Sequence, residues 1–313
     1  MRISVMVLLS LWAGVAHANP DLSAAIENVR TACGNISAEL TDMKKMAGIT
    51  SVVTGVGTVA GGVALGTGLA KANVDKEIEE LEAQIAELKK SRSGVPVEKL
   101  EIANQNEFNQ SLDDFVRTYS AELQQKAAEL SAAEKKSKQL GNVRTGTLAT
   151  AMTTNIAGAI MSGTNKVKGD LKQQIDECLA SVKTLSNVRM QARIDGSAND
   201  TDLARAENII RACDAWTTVD VSSINNRSTG ATVSAGVGAG LGLAGTITSA
   251  SANSDDVRNG DDTQREKNLN TAANVLAGGT TVASATATIF NATQINVIKR
   301  AATIADECEG ALR

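Results

Sequence analysis

Histidine is all but absent from this chain, aromatic residues make up 2% of it, and two prolines are spread over 313 residues. The sole histidine, His17, falls inside the opening MRISVMVLLSLWAGVAHA. There Arg2 gives a positive start, Ile3 to Val15 is apolar, and Ala16-His17-Ala18 fits a small-x-small cleavage site. Residues 1–18 read as a secretory signal peptide. The mature chain then has no imidazole for acid–base or nucleophilic chemistry. Aspartates and glutamates are plentiful but fall on predicted helix surfaces, with no apolar pocket around them. We expect no enzyme, no cofactor and no metal site. Setting Arg2 aside leaves 30 basic against 35 acidic side chains. With no basic surplus, and only Trp216, Tyr119, Phe108, Phe115 and Phe290 available for stacking, nucleic acid is not an expected partner.

Proline punctuation is scarce throughout. Pro96 is the one proline well inside the mature chain, and alanine and charged runs dominate around it. That composition predicts an all-α fold of long helices. Four cysteines, Cys33, Cys178, Cys213 and Cys308, form no CxxC pattern. In an exported chain an even number predicts two disulfides.

The chain also repeats itself. DLSAAIENVRTAC at 21–33 is echoed by DLARAENIIRAC at 202–213, and IDEC at 175–178 by ADEC at 305–308. Two duplicated antiparallel helical-hairpin units follow: 19–190, a polar linker at 191–202, and 203–313. Leu22, Ile26, Val29, Cys33, Ile36, Leu40 and Met43 step 4,3,4,3 along one seam. The steps recur at Leu171, Ile175, Cys178, Val182 and Leu185. They return at Leu203, Ala206, Ile210 and Cys213, and again at Ile298, Ala301, Ala305, Cys308 and Leu312. Equal distances from the adjoining uncharged stretches favour Cys33–Cys178 and Cys213–Cys308. The rival set is Cys33–Cys213 with Cys178–Cys308.

Each unit holds two stretches without charge: Met46–Ala70 and Thr145–Asn165, then Ser228–Ser254 and Asn268–Ile298. They are rich in glycine, alanine, serine and threonine. Gly57/Gly61, Gly62/Gly66, Gly236/Gly240 and Gly238/Gly242 each lie four apart, the spacing that lets helix backbones approach closely in lipid. In water a helical glycine costs about 1 kcal/mol relative to alanine, so such clustering is costly for an isolated soluble helix. The stretches are long enough for a ~30 Å hydrocarbon core. Against this, they are only mildly hydropathic and lack Trp and Tyr at their ends. Tight packing in a soluble bundle, or an irregular spacer, also fits. GVGTVAG at 55–61 echoes a dinucleotide-binding turn, but no second strand follows it.

Between the first two stretches lies a polar excursion, residues 72–141. Val74, Ile78, Leu81, Ile85 and Leu88 form a short coiled-coil seam. SRSGVP at 91–96 breaks it, and a second helix from about Val97 to Leu140 carries Phe108, Leu112, Phe115, Tyr119, Leu123, Ala127 and Leu130. This stalk is the expected place for a protein partner. The layout looks like that of α-helical pore-forming and translocator proteins, a likeness of architecture that carries over no residue. The expectation is an exported, non-enzymatic envelope protein, in periplasm or membrane or secreted. Its glycine-rich hairpins associate with or insert into a membrane, with self-association and a pore-like assembly within reach. The alternative is a soluble periplasmic or secreted helical-bundle scaffold that binds a partner.

Overall fold

The structure, a computed structural model, describes residues 21–93, 105–258 and 263–313. The expected signal peptide and the break at SRSGVP beyond Ser93 lie outside these residues, as do the side chains of Phe108, Leu112 and Phe115. Of the described residues 94% are helical and none is in a strand. In order come α1 (Leu22–Cys33), α2 (Ile36–Ser93), α3 (Gln105–Thr164), α4 (Gly169–Asp195) and α5 (Asp200–Asp214). A short 3-10 turn (Ala215–Thr218) leads to α6 (Val221–Ala252), α7 (Asp255–Arg258) and α8 (Thr263–Leu312).

Helix ends fall where local chemistry puts them. Asp21 caps α1, its carboxylate accepting from the Ser23 N–H at 3.1 Å. Asn199 caps α5 through the Asp202 N–H at 2.9 Å. Gly196 ends α4 with a left-handed backbone (φ 62°), a conformation that costs glycine nothing. The seam read as continuous from Leu22 to Met43 is broken at Gly34-Asn35. Glycine is a weak helix former, and a Cβ at Gly34 would sit 2.7 Å from the Arg30 carbonyl oxygen.

The chain forms two compact units that cut across the sequence repeats. The first combines residues up to 47 with 165–226 and 293–313; the second combines 48–164 with 227–292. Each therefore draws on both repeats, because long helices such as α2 and α8 pass from one into the other.

The first unit is a conventional apolar core. The four seams supply it: Leu22, Val29, Ile36 and Leu40 pack with Leu171, Ile175, Val182 and Leu185, and with Ile209, Ile298, Ala305 and Leu312. Trp216, hidden on the 3-10 turn, joins them. In the α5 seam Ile209 is fully buried while Ile210 is only partly so. Cys33 is bonded to Cys178 and Cys213 to Cys308. Both bridges are inside this one core. The sulfurs of Cys33, Cys178 and Cys308 lie within 4.8 Å of one another. Arg30 closes the end of α8, its Nη2 donating to the Leu312 carbonyl at 2.7 Å.

Candidate functional site, a unit apolar outside and polar inside

The second unit reverses the usual partition. Its uncharged stretches bury Thr50, Thr54, Asn155, Ser162, Ser228, Thr280, Ser284 and Asn291 completely. The buried apolar residues beside them are nearly all alanines, with Leu148 the one large exception in these stretches. Outward go the branched side chains. Val52, Val59, Val275, Val282, Ile160 and Ile289 are each more than 60% exposed. On α2 the outward set runs from Ile49 to Leu69, and on α6 from Val233 to Ile247. At ~1.5 Å per residue these bands are roughly 30 and 21 Å tall.

Inside, polar groups pair with each other across helices. Asn155 Nδ2 donates to Ser284 Oγ at 2.7 Å, joining α3 to α8. Ser162 Oγ donates to Asn291 Oδ1 at 3.1 Å, and Asn291 Nδ2 reaches Thr54 Oγ1 on α2 at 3.4 Å. Ser228 Oγ, from α6, donates to the Ser162 carbonyl. Outside, the threonine hydroxyls turn back onto their own helices. Thr147, Thr153, Thr248 and Thr286 donate to the carbonyls four residues earlier, at 2.9, 3.2, 2.8 and 2.9 Å. A hydroxyl so bonded does not need water.

The glycines divide between the two faces. A Cβ at Gly57 would meet Thr154 Oγ1 at 2.8 Å, and one at Gly61 would meet Thr281 Oγ1 at 2.7 Å with the Thr281 backbone at 3.2 Å. Gly238 faces Asn155 at 2.8 Å, and Gly242 faces the Met152 backbone at 3.2 Å. These four are where α2 touches α3 and α8, and α6 touches α3. Gly62, Gly66, Gly236 and Gly240 have open space beside them. Each helix thus carries two glycine pairs, consecutive on α2 and interleaved on α6, one turned in and one turned out.

Lys71 and Arg144 adjoin the uncharged stretches Met46–Ala70 and Thr145–Asn165. Both are fully buried. Lys71 Nζ sits 2.7 Å from Asp75 Oδ2 and 3.2 Å from Glu266 Oε1. Ser137 Oγ donates to Asp75 Oδ1 at 2.6 Å. Arg144 donates to Ser249 Oγ at 2.8 Å, Asn270 Oδ1 at 2.8 Å and Asn274 Oδ1 at 3.2 Å. Two cations and two carboxylates from α2, α3 and α8, with Ser249 of α6, make one neutral network. One sequence feature could have hinted at part of it: Arg144 has no acid within four residues on either side.

Beyond this network the arms of the 72–141 hairpin pack through Val74, Leu81 and Ala133, with Ile78, Leu130 and Leu140 around them. Tyr119 donates its hydroxyl to the Leu88 carbonyl at 3.0 Å.

The chain matches no family model, no characterised protein and no solved structure. Its function therefore rests on its own physical chemistry. Two of its helical stretches, within Leu22–Lys90 and within Asp200–Ala252, are long and apolar enough to cross a membrane. Only 33% and 28% of their apolar windows are buried, whereas a soluble core helix would be mostly covered. The stretches of α3 and α8 do not reach the same mark. Threonines 145, 147, 150, 153 and 154 dilute the first, and asparagines 268, 270, 274, 291 and 296 the second.

Proposed function

We propose that this chain is an exported, non-enzymatic cell-envelope protein whose glycine-rich helical hairpins insert into a membrane. The observation that carries this is the inverted second unit, with hydroxyls and amides inside and branched aliphatics outside. Water would favour the opposite arrangement, since apolar area left in it costs roughly 25 cal/mol per Å². Lipid favours this one. Small residues let the helices close on each other, interhelical amide and hydroxyl pairs hold them, and outward threonines such as Thr147, Thr153, Thr248 and Thr286 bond their own helices. The weakly apolar α3 and α8 stretches fit if they enter with α2 and α6, because Asn155, Asn270 and Asn291 are buried in polar pairs and Asn274 accepts from Arg144. Two buried disulfides suit an oxidising compartment, on the side where residues 19–45 and 166–227 remain. By chain connectivity four crossings then place the 72–141 stalk on the opposite side, free to meet a protein partner. The outward pairs Gly62/Gly66 and Gly236/Gly240 offer faces for self-association in the bilayer.

All four cysteines are in bridges, so an introduced thiol is a unique label. An environment-sensitive fluorophore at Val59→Cys and Val282→Cys should move to a lipid-like emission with vesicles and be quenched by lipid-borne quenchers. Water-like emission at both positions would sink the proposal and leave the soluble scaffold.

A further inference from the structure

Within the first unit, buried amides tie together the chain segments that border the uncharged stretches. Gln294 Nε2 on α8 donates to the Asn165 carbonyl at 2.9 Å and lies 3.4 Å from that of Ile224 on α6. The Val167 N–H donates to Asn225 Oδ1 at 2.8 Å. The Asn165 amide, turned to satisfy both partners, donates to the Met43 carbonyl at 3.3 Å and accepts from the Ala47 N–H at 3.2 Å. At this buried collar, or within about two turns of it along the chain, stand Lys44, Lys45, Lys166, Lys168, Lys299 and Arg300, every one exposed. The nearby carboxylates are Glu39, Asp42, paired with Lys45 at 3.1 Å, Asp170 and Asp220, fewer than the cations. Follow α2 to the far end of its uncharged stretch and the charge pattern changes. Lys71, which follows that stretch in sequence, is buried between Asp75 and Glu266. Arg144 is spent on Ser249, Asn270 and Asn274. Raw counts of flanking lysines conceal this asymmetry, because they give buried and exposed cations equal weight.

We propose that the collar cations form a basic rim that binds the phosphate headgroups of an anionic bilayer. This rests on the membrane reading above and adds the lipid class and the end of the unit that meets it. Basic side chains at a membrane surface attract anionic lipid additively, and salt weakens the attraction within a Debye length. Lysines so placed also resist crossing, which keeps the disulfide core on the side of entry.

The full mature chain should be floated with vesicles of phosphatidylcholine alone and of phosphatidylcholine with added phosphatidylglycerol. A Lys44→Gln/Lys166→Gln/Lys168→Gln variant is compared with Lys89→Gln/Lys135→Gln/Lys136→Gln, the same charge change on the stalk. We expect the wild type to prefer anionic vesicles and the preference to fall with salt. The rim variant should lose about five-fold per charge removed, the stalk variant almost nothing. Equal binding to both vesicles, or a rim variant that keeps its preference, overturns the rim and leaves insertion standing. Binding to neither vesicle, with a water-like probe at Val59, overturns both.

Discussion

Gly61 and Gly62 are chain neighbours with opposite surroundings, so one methyl group at each tests whether close backbone approach holds the second unit together. In α2 either glycine weakens the helix relative to alanine by up to about 1 kcal/mol. At Gly62 nothing lies within 4 Å of a new Cβ, so Gly62→Ala should be neutral or stabilising by that amount. At Gly61 the same atom would lie 2.7 Å from Thr281 Oγ1 and 3.2 Å from the Thr281 N and Cα. The hydroxyl can rotate away but the backbone cannot, so α2 and α8 must separate. Overpacking of this kind costs roughly 1–3 kcal/mol. The gap between two adjacent substitutions should therefore be about 1–3 kcal/mol, with Gly61→Ala the less stable. Gly242→Ala and Gly240→Ala repeat the comparison on α6, where Gly242 faces the Met152 backbone and Gly240 faces open space. The assay is thermal unfolding of all four variants by circular dichroism in one detergent. If Gly61→Ala melts with Gly62→Ala, and Gly242→Ala with Gly240→Ala, backbone contact through the inward glycines is refuted.

Other outcomes follow from the same structure. Gly62→Ile with Gly66→Ile should abolish chemical cross-linking between copies in vesicles while leaving the melting temperature of the single chain in place. Lys71→Met leaves Asp75 and Glu266 facing each other across a mostly dry site. Breaking a buried ion pair this way costs up to about 3–5 kcal/mol, less here because both carboxylates are a quarter exposed, and urea unfolding at neutral pH reads it. Asp21 and Asp220 are both held below the ordinary carboxylate value of 3.8, each chiefly by a serine hydroxyl, Ser23 and Ser222. Their caps therefore contribute fully above about pH 4 and are lost as pH falls through the lowered values. Asp220→Asn should flatten that part of an acid titration followed by helical ellipticity. Cys213→Ser frees the Cys308 thiol within 4.8 Å of the Cys33 and Cys178 sulfurs. Above neutral pH its thiolate should attack the Cys178 sulfur, forming Cys178–Cys308 as the Cys33–Cys178 bond breaks and leaves Cys33 a thiolate. Peptide mapping without reductant should find both species, and a single Cys33–Cys178 bond would exclude exchange.

How much of this was legible beforehand depended on whether ordinary burial rules applied. In the first unit they do. Leu22, Val29, Leu171, Val182 and Leu312 were found by their spacing because seams there bury apolar side chains. Cys33–Cys178 and Cys213–Cys308 are the pairs that chain distance favoured. In the second unit spacing is ambiguous. Gly57/Gly61 and Gly62/Gly66 are both four apart, and only the inward turn of Thr54, Asn155 and Asn291 decides which pair faces in. A reader expecting asparagine outside would choose the wrong face. The ion network was hidden for a related reason, since Lys71 meets Glu266 across 195 positions of sequence. The spatial division was hidden too, because a repeat in sequence does not say whether its copies fold separately or interleave.

That interleaving bears on how the protein is made. The disulfide core takes segments of chain from before residue 48, from the middle and from Thr293–Arg313. It stays unfinished until α8 has been made, so Cys213 must wait as a thiol for Cys308 while Cys33 and Cys178 are already within reach of oxidation. Protecting that waiting cysteine would be the natural task of whatever escorts the nascent chain.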